Sequence, residues 1–262
     1  MRERAPWLRS LALANLLFLY APIAVLILFS FNDSRLGATW KGGTLHWYRA
    51  LAEDPALWAA AQNSLLVATV STAMATLLGA SAAVGLQRLS PRGQRAAENA
   101  FVLPLIVPEV MLGVSLMLLF VLAGWPLSLG TVTIGHAVFN LPVVALIVRA
   151  RLHKLDPHLE EAARDLGASG WQAFRRVTLP LLMPAILGGA LMAFTISLDD
   201  FIVTFFTGGP GSTTLPLKVY SMIKSGVSPA INALSAVLVL LSMLLIGVAV
   251  ALQRRGDLQP SR

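Results

Sequence analysis

A charged stretch near the middle of the chain, 161-EAARDLG-167, followed after nine residues by 177-VTLP-180, decides the fold. Apolar runs flank it on both sides, roughly Leu127–Val148 before it and Leu182–Phe206 after it. Each run can cross a bilayer, because a spanning helix needs about 20 apolar residues. Charged side chains are expensive inside a bilayer. We therefore expect the stretch to form a loop outside the membrane, between two spanning helices.

This central loop carries start and stop signals for two short helices. Asp156 is a good N-cap, and Pro157 suits the first helical position. Gly167 can take the left-handed conformation that ends the first helix. Ser169 and Gln172 have the spacing of a capping box for the second helix. Such caps also occur in ordinary solvated loops, so they predict local structure and leave the function of the loop open.

Composition places the chain in a membrane. Hydrophobic residues make up 56% of its 262 residues, and charged residues only 13%, about half of the roughly 25% that is usual in soluble domains. Cysteine is absent, which excludes disulfides, a thiolate nucleophile and cysteine metal sites. The net charge of +7 could indicate nucleic acid binding, but the basic residues lie between the apolar runs. We therefore predict membrane lipid, and no nucleic acid, as a partner.

Six apolar stretches are long enough to span the bilayer. They are roughly Leu11–Phe31, Leu65–Leu86, Ala100–Leu122, Leu127–Val148, Leu182–Phe206 and Ala233–Leu252. The first is too long for the core of a signal peptide and is followed by no convincing cleavage site, so we expect it to be retained. Six crossings place both termini on the same side of the membrane.

The basic residues indicate which side that is, because cytoplasmic loops are enriched in Lys and Arg. One set of loops and both chain ends carry Arg2, Arg4, Arg9, Arg88, Arg92, Arg95, Arg151, Lys154, Arg164, Arg175, Arg176, Arg254, Arg255 and Arg262. The opposite segments, Asn32–Gln62 and Thr207–Asn232, carry fewer, namely Arg35, Lys41, Arg49, Lys218 and Lys224. We predict a multi-pass protein of the bacterial cytoplasmic (inner) membrane, with both termini in the cytoplasm.

Small residues and prolines within the apolar runs indicate a packed helix bundle. Gly79, Gly188 and Gly189 would let helix backbones approach closely. Pro104 and Pro108 would kink the third crossing. The sequence contains no convincing internal repeat and no low-complexity linker, so we predict a single transmembrane domain, residues 1–262.

The central loop resembles the cytoplasmic coupling loop of ABC importer permeases. Their signature is Glu-Ala-Ala, three residues, Gly, nine residues and Ile-x-Leu-Pro, and here only the Ile is replaced, by the β-branched Val177. The resemblance implies an all-α membrane protein of the type I importer fold, with six transmembrane helices and a coupling helix in the loop at about 151–181. The residues that it implies for docking on an ATPase subunit are Glu161, Ala162, Ala163 and Gly167.

The chain has no phosphate-binding Gly-x-x-x-x-Gly-Lys-Ser/Thr loop of its own. ATP and Mg²⁺ must therefore be bound by a partner, and we expect no cofactor in this chain. The resemblance implies four kinds of partner. They are a dimer of ATP-binding ABC subunits, a second permease subunit, a periplasmic or lipid-anchored substrate-binding protein, and the membrane lipid.

Further segments resemble the smaller of the two permease subunits of spermidine/putrescine importers. They are 30-SFNDS-34, Trp40 with 44-TLHWY-48, 195-TISLDDF-201, 209-GPG-211 with 214-TLPL-217, and 226-GVSP-229 with 232-NAL-234. This resemblance implies transport of a small organic cation, spermidine or putrescine. Members of the same subfamily also serve 2-aminoethylphosphonate and opine-type substrates, and these alternatives stay open.

Acidic residues inside the predicted crossings give a physical argument for a cation. Asp199 and Asp200 lie about seventeen residues into the fifth crossing, and Glu109 follows Pro108 in the third. An ionised Asp at the bilayer centre costs about 2.5–3.5 kcal/mol, and such residues usually face a cavity on a substrate pathway. The alternative roles are internal capping or pairing for the two Asp, and neutralisation by Arg149 or by a helix end for Glu109.

Aromatic and polar residues offer weaker candidates. Trp47 is the chosen aromatic contact for a polyamine, whose ammonium groups are attracted to ring faces, although interfacial anchoring is the usual role of such residues. His136 and Asn140 lie one turn apart in the fourth crossing. They could line the path, but hydrogen bonding between helices is the more common role.

Two other classes of protein remain as alternatives. An integral membrane enzyme would need a constellation of acid, base or nucleophile, and His136 has no obvious partner in the sequence. A secondary transporter would be expected to have inverted repeats and broken helices, which the sequence does not reveal. Only the importer requires a stoichiometric ATPase.

Overall fold

The computed structural model describes residues 6–34, 39–87, 89–156, 158–226 and 228–257, and side chains as far as Leu244. These residues form helices joined by loops, with one isolated antiparallel bridge between Asn32 and Gly43. The helices are α1 Pro6–Phe29, α2 His46–Ala52, α3 Pro55–Leu86, α4 Pro91–Ile106, α5 Glu109–Leu122, α6 Leu129–Leu152, α7 His158–Asp165, α8 Gly170–Ala173, α9 Leu179–Asp199, α10 Ile202–Thr207, α11 Leu215–Lys224 and α12 Pro229–Asp257. Several residues named above lie outside the described ranges, namely Arg2, Arg4, Arg35, Arg88, Pro157, Val227 and Arg262.

The all-α class agrees with the prediction, and four helical segments of the described chain are long and apolar enough to span a membrane. They are Trp7–Phe29, Pro55–Leu86, Leu129–Leu152 and Gly170–Asp199. A fifth span is possible if α4 and α5, which are bent by 102° at a short break, count as one. Pro229–Leu244, the part of α12 whose side chains are described, is a shorter apolar helix. The count of six crossings therefore stays a prediction.

The third predicted crossing, Ala100–Leu122, is not one helix. Val107 and Pro108 are extended, with ψ of 130° and 132°, and separate α4 from α5. Proline has no amide hydrogen and disfavours the α conformation of the residue before it, so the helix stops at this point. Pro104, by contrast, lies inside α4. Glu109 consequently becomes the first residue of α5.

The fifth predicted crossing, Leu182–Phe206, is also interrupted. Helix α9 ends at Asp199, Asp200 is extended with ψ 127°, and the short helix α10 begins at Ile202. On its N-terminal side, α9 continues without a gap from α8 through a π-helical turn, Phe174–Thr178. Both interruptions thus place a carboxylate at the break in a helix.

The chain divides into two compact units, one formed by residues up to Pro55 together with those from Val219, the other by Ala56–Lys218. In the first unit, α12 packs against α1 and α2. In the second, α6 packs against α9 around a core with Val144, Val148 and Leu182. The prediction of a single domain is not tested by this division.

Two of the predicted small residues do bring helices together. A Cβ on Gly79 would lie 2.8 Å from the carbonyl oxygen of Leu141, so α3 approaches α6 where no side chain would fit. A Cβ on Gly189 would lie 3.3 Å from Cγ1 of Val144. Gly188 has nothing within 4 Å. This close packing fixes α6 and α9, the two helices that carry the polar residues described next.

Candidate functional site

A buried polar cluster lies where α6 meets the break between α9 and α10. It contains His136 of α6, Ser197 of α9, Asp200 at the break and Thr204 of α10, all of them buried. Uncompensated polar groups are costly in an apolar medium. We therefore ask which polar groups of the cluster already have hydrogen-bond partners within the protein.

Asp200 is saturated with hydrogen bonds. Its Oδ1 accepts from the backbone N–H of Val203 at 3.2 Å, and its Oδ2 accepts from the backbone N–H of Thr204 at 3.0 Å and the Thr204 hydroxyl at 3.1 Å. The Nε2 of His136 lies 2.9 Å from the same Oδ2. A carboxylate offers about four lone-pair sites. Asp200 thus caps α10 and pairs with His136, and it has little capacity left for a further ligand.

The imidazole of His136 links three elements of the cluster. Its Nδ1 lies 2.7 Å from the Ser197 hydroxyl, and the latter lies 3.1 Å from the hydroxyl of Ser71 on α3. In the tautomer with the proton on Nε2, His136 donates to Asp200 and accepts from Ser197. The pairing of His136 with Asp200 could not be predicted from the sequence, because 64 positions separate the two residues.

Three of the four predicted path residues are brought together. Helix α5, which begins at Glu109, packs against α10, which follows Asp200. The carboxyl group of Glu109 is within electrostatic range of Asp200, Asp199 and His136. Asp199 is exposed, and its side chain has no ion pair or hydrogen bond to any described residue. Negative charge is therefore concentrated at the two helix breaks, with one imidazole to offset it.

Of the two alternatives for neutralising Glu109, the pairing with Arg149 is not what the structure shows. Arg149, buried near the end of α6, forms an ion pair with Glu98 of α4 and donates a long hydrogen bond of 3.4 Å to Gln94. The Nε and Nη1 atoms of Arg149 have no partner among the described residues. Glu109 instead stands in the first turn of α5, where the helix dipole favours a negative charge.

A narrow crevice, too tight in this conformation to admit a water molecule, opens onto the cluster. His136, Ser197 and Asp200 form its polar wall together with Asn140, while its apolar lining consists of Phe139, Ile196 and Val203. Asn140 is only 1% exposed, yet neither its Oδ1 nor its Nδ2 has a hydrogen-bond partner among the described residues. The sequence favoured helix-to-helix hydrogen bonding for both His136 and Asn140. His136 forms such bonds, whereas Asn140 forms none with any described residue.

Trp47, the fourth predicted path residue, belongs to the other unit. It is half-buried on α2, and its indole N–H donates to the backbone carbonyl of Asn32 at 2.9 Å. The amide of Asn32 holds the same loop, because Oδ1 accepts from the N–H of Lys41 and Nδ2 donates to the carbonyl of Thr39. Trp47 thus helps to fix this loop, and its predicted contact with substrate is not tested.

The central loop has the helix starts and the turn that its sequence predicts. The expectation that the second short helix ends before Leu179 is wrong, because α8 continues through the π-helical turn into α9. The backbone N–H of His158 donates to Asp156 Oδ1 at 3.0 Å at the start of α7, and Gly167 ends that helix with φ +90°. Ser169 and Gln172 form the reciprocal bonds of a capping box at the start of α8. Capping thus separates α7 from α8, and the two are joined by a left-handed turn.

The predicted docking residues of this loop lie largely at the surface. Glu161, Ala162 and Gly167 are exposed, and Ala163 is half-buried. A hydrogen bond to Glu161, 3.1 Å long, raises the pKa of the neighbouring His158. Two apolar side chains near them are also open to solvent, Leu166 at 89% and Trp171 at 66% of their surface. The loop therefore presents a mixed charged and apolar surface.

Comparison with known proteins establishes the family to which this chain belongs. The chain belongs to the family of binding-protein-dependent transport system inner membrane components, which matches residues 75–257. The resemblance to ABC importer permeases is thereby confirmed. The chain is a multi-pass permease component of the inner membrane, and its role is transport, not catalysis.

Among individual proteins, the chain is similar to two permeases of Escherichia coli (strain K12). It is 42% identical to the putrescine transport system permease protein PotI over 267 residues, which covers 99% of this chain and 95% of that protein. It is also 42% identical to the spermidine/putrescine transport system permease protein PotC over 229 residues, or 87% of each. A solved bacterial ABC transporter that imports the acidic polysaccharide alginate is 16% identical with a TM-score of 0.75 over 98% of each chain, a likeness of fold alone.

Proposed function

We propose that this chain is one of two permease subunits of an ATP-driven importer for polyamines, with putrescine and spermidine as substrates. The observation that carries the proposal is the 42% identity to the putrescine permease PotI over 99% of this chain. The match extends over nearly the whole of both chains. The simplest explanation of this identity is that this chain and PotI transport substrates of the same chemical class.

The charge at the helix breaks supports a cationic substrate. Glu109, Asp199 and Asp200 place three carboxyl groups within electrostatic range of one another. In a low-dielectric passage, fixed negative charge attracts a protonated amine strongly and offsets part of its desolvation. Because Asp200 is saturated by protein donors, it acts through its charge, while the exposed Asp199 is free to meet the substrate directly.

The central loop couples this path to ATP hydrolysis. Glu161, Ala162, Ala163 and Gly167 form the docking surface for an ATPase subunit, and the exposed side chains of Leu166 and Trp171 supply apolar area that a partner can bury. ATP and Mg²⁺ are bound by that partner. The sequence pattern that supports this role is the coupling signature at 161–167 and 177–180.

The complete importer contains this chain, a second permease subunit, a dimer of ATP-binding subunits and a periplasmic or lipid-anchored substrate-binding protein. The distribution of Lys and Arg supports a cytoplasmic location for the central loop and for both termini. In that orientation the binding protein delivers substrate to the segments Asn32–Gln62 and Thr207–Asn232. ATP is hydrolysed on the opposite side.

The proposal is tested with the importer complex reconstituted in liposomes. We expect putrescine or spermidine, in the presence of the binding protein, to stimulate ATP hydrolysis and to accumulate inside the vesicles. 2-Aminoethylphosphonate and an opine serve as the competing substrates. If one of these zwitterions is transported and neither polyamine is, the polyamine assignment is wrong, while the membership of the transport family is unaffected.

A further inference from the structure

Asn140 is the polar residue of the crevice that the protein leaves unsatisfied. Both polar atoms of its side chain are buried and lack a hydrogen-bond partner among the described residues, although the residue is only 1% exposed. Leaving a buried donor or acceptor unpaired is destabilising, and it is more so inside a bilayer, where no bulk water is available. A leucine of similar size at this position would avoid that penalty. Packing alone therefore does not explain why an amide side chain occupies position 140.

The surroundings of Asn140 identify the chemistry that would satisfy it. Asn140 stands one turn after His136 on α6, and both side chains line the crevice with Ser197 and Asp200. The carboxylate of Asp200 already accepts hydrogen bonds from protein donors, so it contributes a negative charge to the crevice. The group that can still form hydrogen bonds with a ligand is the side-chain amide of Asn140. Phe139 adds an aromatic side chain to the lining, and a ring face attracts a cation. These features together suit a protonated primary amine and disfavour an anion.

We propose that Asn140 forms an intramembrane subsite for one terminal ammonium group of the transported polyamine. The amide Oδ1 accepts a hydrogen bond from the ammonium, Asp200 supplies the charge that holds it, and the amide Nδ2 donates to a water molecule that accompanies the cation. The crevice is narrow in this conformation, so the amine reaches Asn140 when the helices around it are further apart. This inference rests on the proposed function, because it names a binding residue for the proposed substrate.

The test compares Asn140→Leu with the parental chain in the reconstituted importer, with the binding protein and its concentration held constant. A control is Thr76→Val on α3, which also removes a buried hydroxyl that has no partner among the described residues but does not line the crevice. Both substitutions should leave the Tm unchanged or raise it, because each removes an unpaired buried group. Only Asn140→Leu should lower kcat/KM for putrescine uptake, by about tenfold or more, as expected for one lost hydrogen bond to a charged group.

Each outcome of the Asn140→Leu experiment either supports or overturns the proposed subsite. A normal kcat/KM in Asn140→Leu overturns the subsite while leaving the polyamine function intact. A lower Tm in Asn140→Leu also overturns it, since the amide would then be a structural hydrogen-bonding group. If the parental complex transports no polyamine at all, the proposed function fails, and the subsite fails with it. A selective loss of uptake together with an unchanged or higher Tm supports it.

Discussion

At the scale of single residues, Asp199 and Asp200 are neighbours in sequence with different environments. Asp200 is buried and accepts hydrogen bonds from Val203, Thr204 and His136. Asp199 is exposed and has no such bonds to described residues. The reason is that α9 ends between them, so that one side chain stays on the helix surface and the other turns to cap α10. Substitution of each Asp in turn can therefore distinguish an effect on the stability of the protein from an effect on transport.

We expect Asp199→Asn and Asp200→Asn to differ in their effect on folding. Asp200→Asn should lower the free energy of unfolding by about 1.5–3 kcal/mol, because hydrogen bonds to a charged acceptor are lost. Asp199→Asn should change it by less than about 0.5 kcal/mol, as for other surface substitutions. Both should reduce polyamine uptake, measured at matched expression, because each removes a negative charge from the path. Parental uptake in both variants would show that the pair is structural, and a zwitterionic substrate would then be favoured.

At the scale of the secondary-structure elements, the turn between α7 and α8 allows a direct test of the proposed docking surface. Gly167 has φ +90°, a conformation that strains other L-residues, yet nothing lies within 4 Å of the position that its Cβ would occupy. Strain and bulk can therefore be tested separately at this one residue. Asn tolerates the left-handed conformation better than most side chains, whereas Trp adds bulk at the proposed interface.

We expect Gly167→Trp and Glu161→Lys to impair binding of the ATPase subunit or its stimulation by substrate, by about tenfold or more in rate. The physical reasons are steric exclusion in the first variant and reversed charge in the second. Gly167→Asn is the matched control and should keep most of the activity. ATP hydrolysis by the reconstituted complex is the measurement, with membrane insertion checked separately. If Gly167→Trp and Glu161→Lys both showed the parental stimulation of ATP hydrolysis by substrate, the docking role of this loop would be excluded.

At the scale of the whole molecule, the decisive property is the orientation of the loops across the membrane. The chain contains no cysteine, so each introduced thiol is the only one present. Lys41 and Ser169 are both exposed and fall in segments that the Lys and Arg distribution assigns to opposite sides. Ser34 lies in the same outer segment as Lys41 but is buried, which makes it a poorer site for labelling.

We expect Lys41→Cys to react with a membrane-impermeant maleimide added to intact cells or spheroplasts. Ser169→Cys should react only after the membrane is permeabilised, because its loop faces the cytoplasm. Labelling of both thiols from outside would contradict the predicted topology, and with it the cytoplasmic position of the coupling segment. The cysteine-free parental chain is the control for background labelling.

The sequence by itself determined the class of the protein and the helix caps of its central loop. Apolar runs of spanning length are set by composition, and the caps at Asp156, Gly167 and Ser169 depend on residues at most a few positions apart, so both can be read along the chain. The coupling signature has the same local character. These features require no knowledge of which helices meet.

Only the tertiary structure decided how the polar residues of the membrane region are paired. Hydropathy predicts a continuous span wherever apolar residues continue, but the extended residues Pro108 and Asp200 divide two of the predicted crossings. The partners of His136 come from α9, the break before α10 and α10 itself. The lack of a partner for Asn140 is visible only when all of its described neighbours are placed. Such pairing depends on contacts between residues far apart in sequence, which local propensity and composition do not encode.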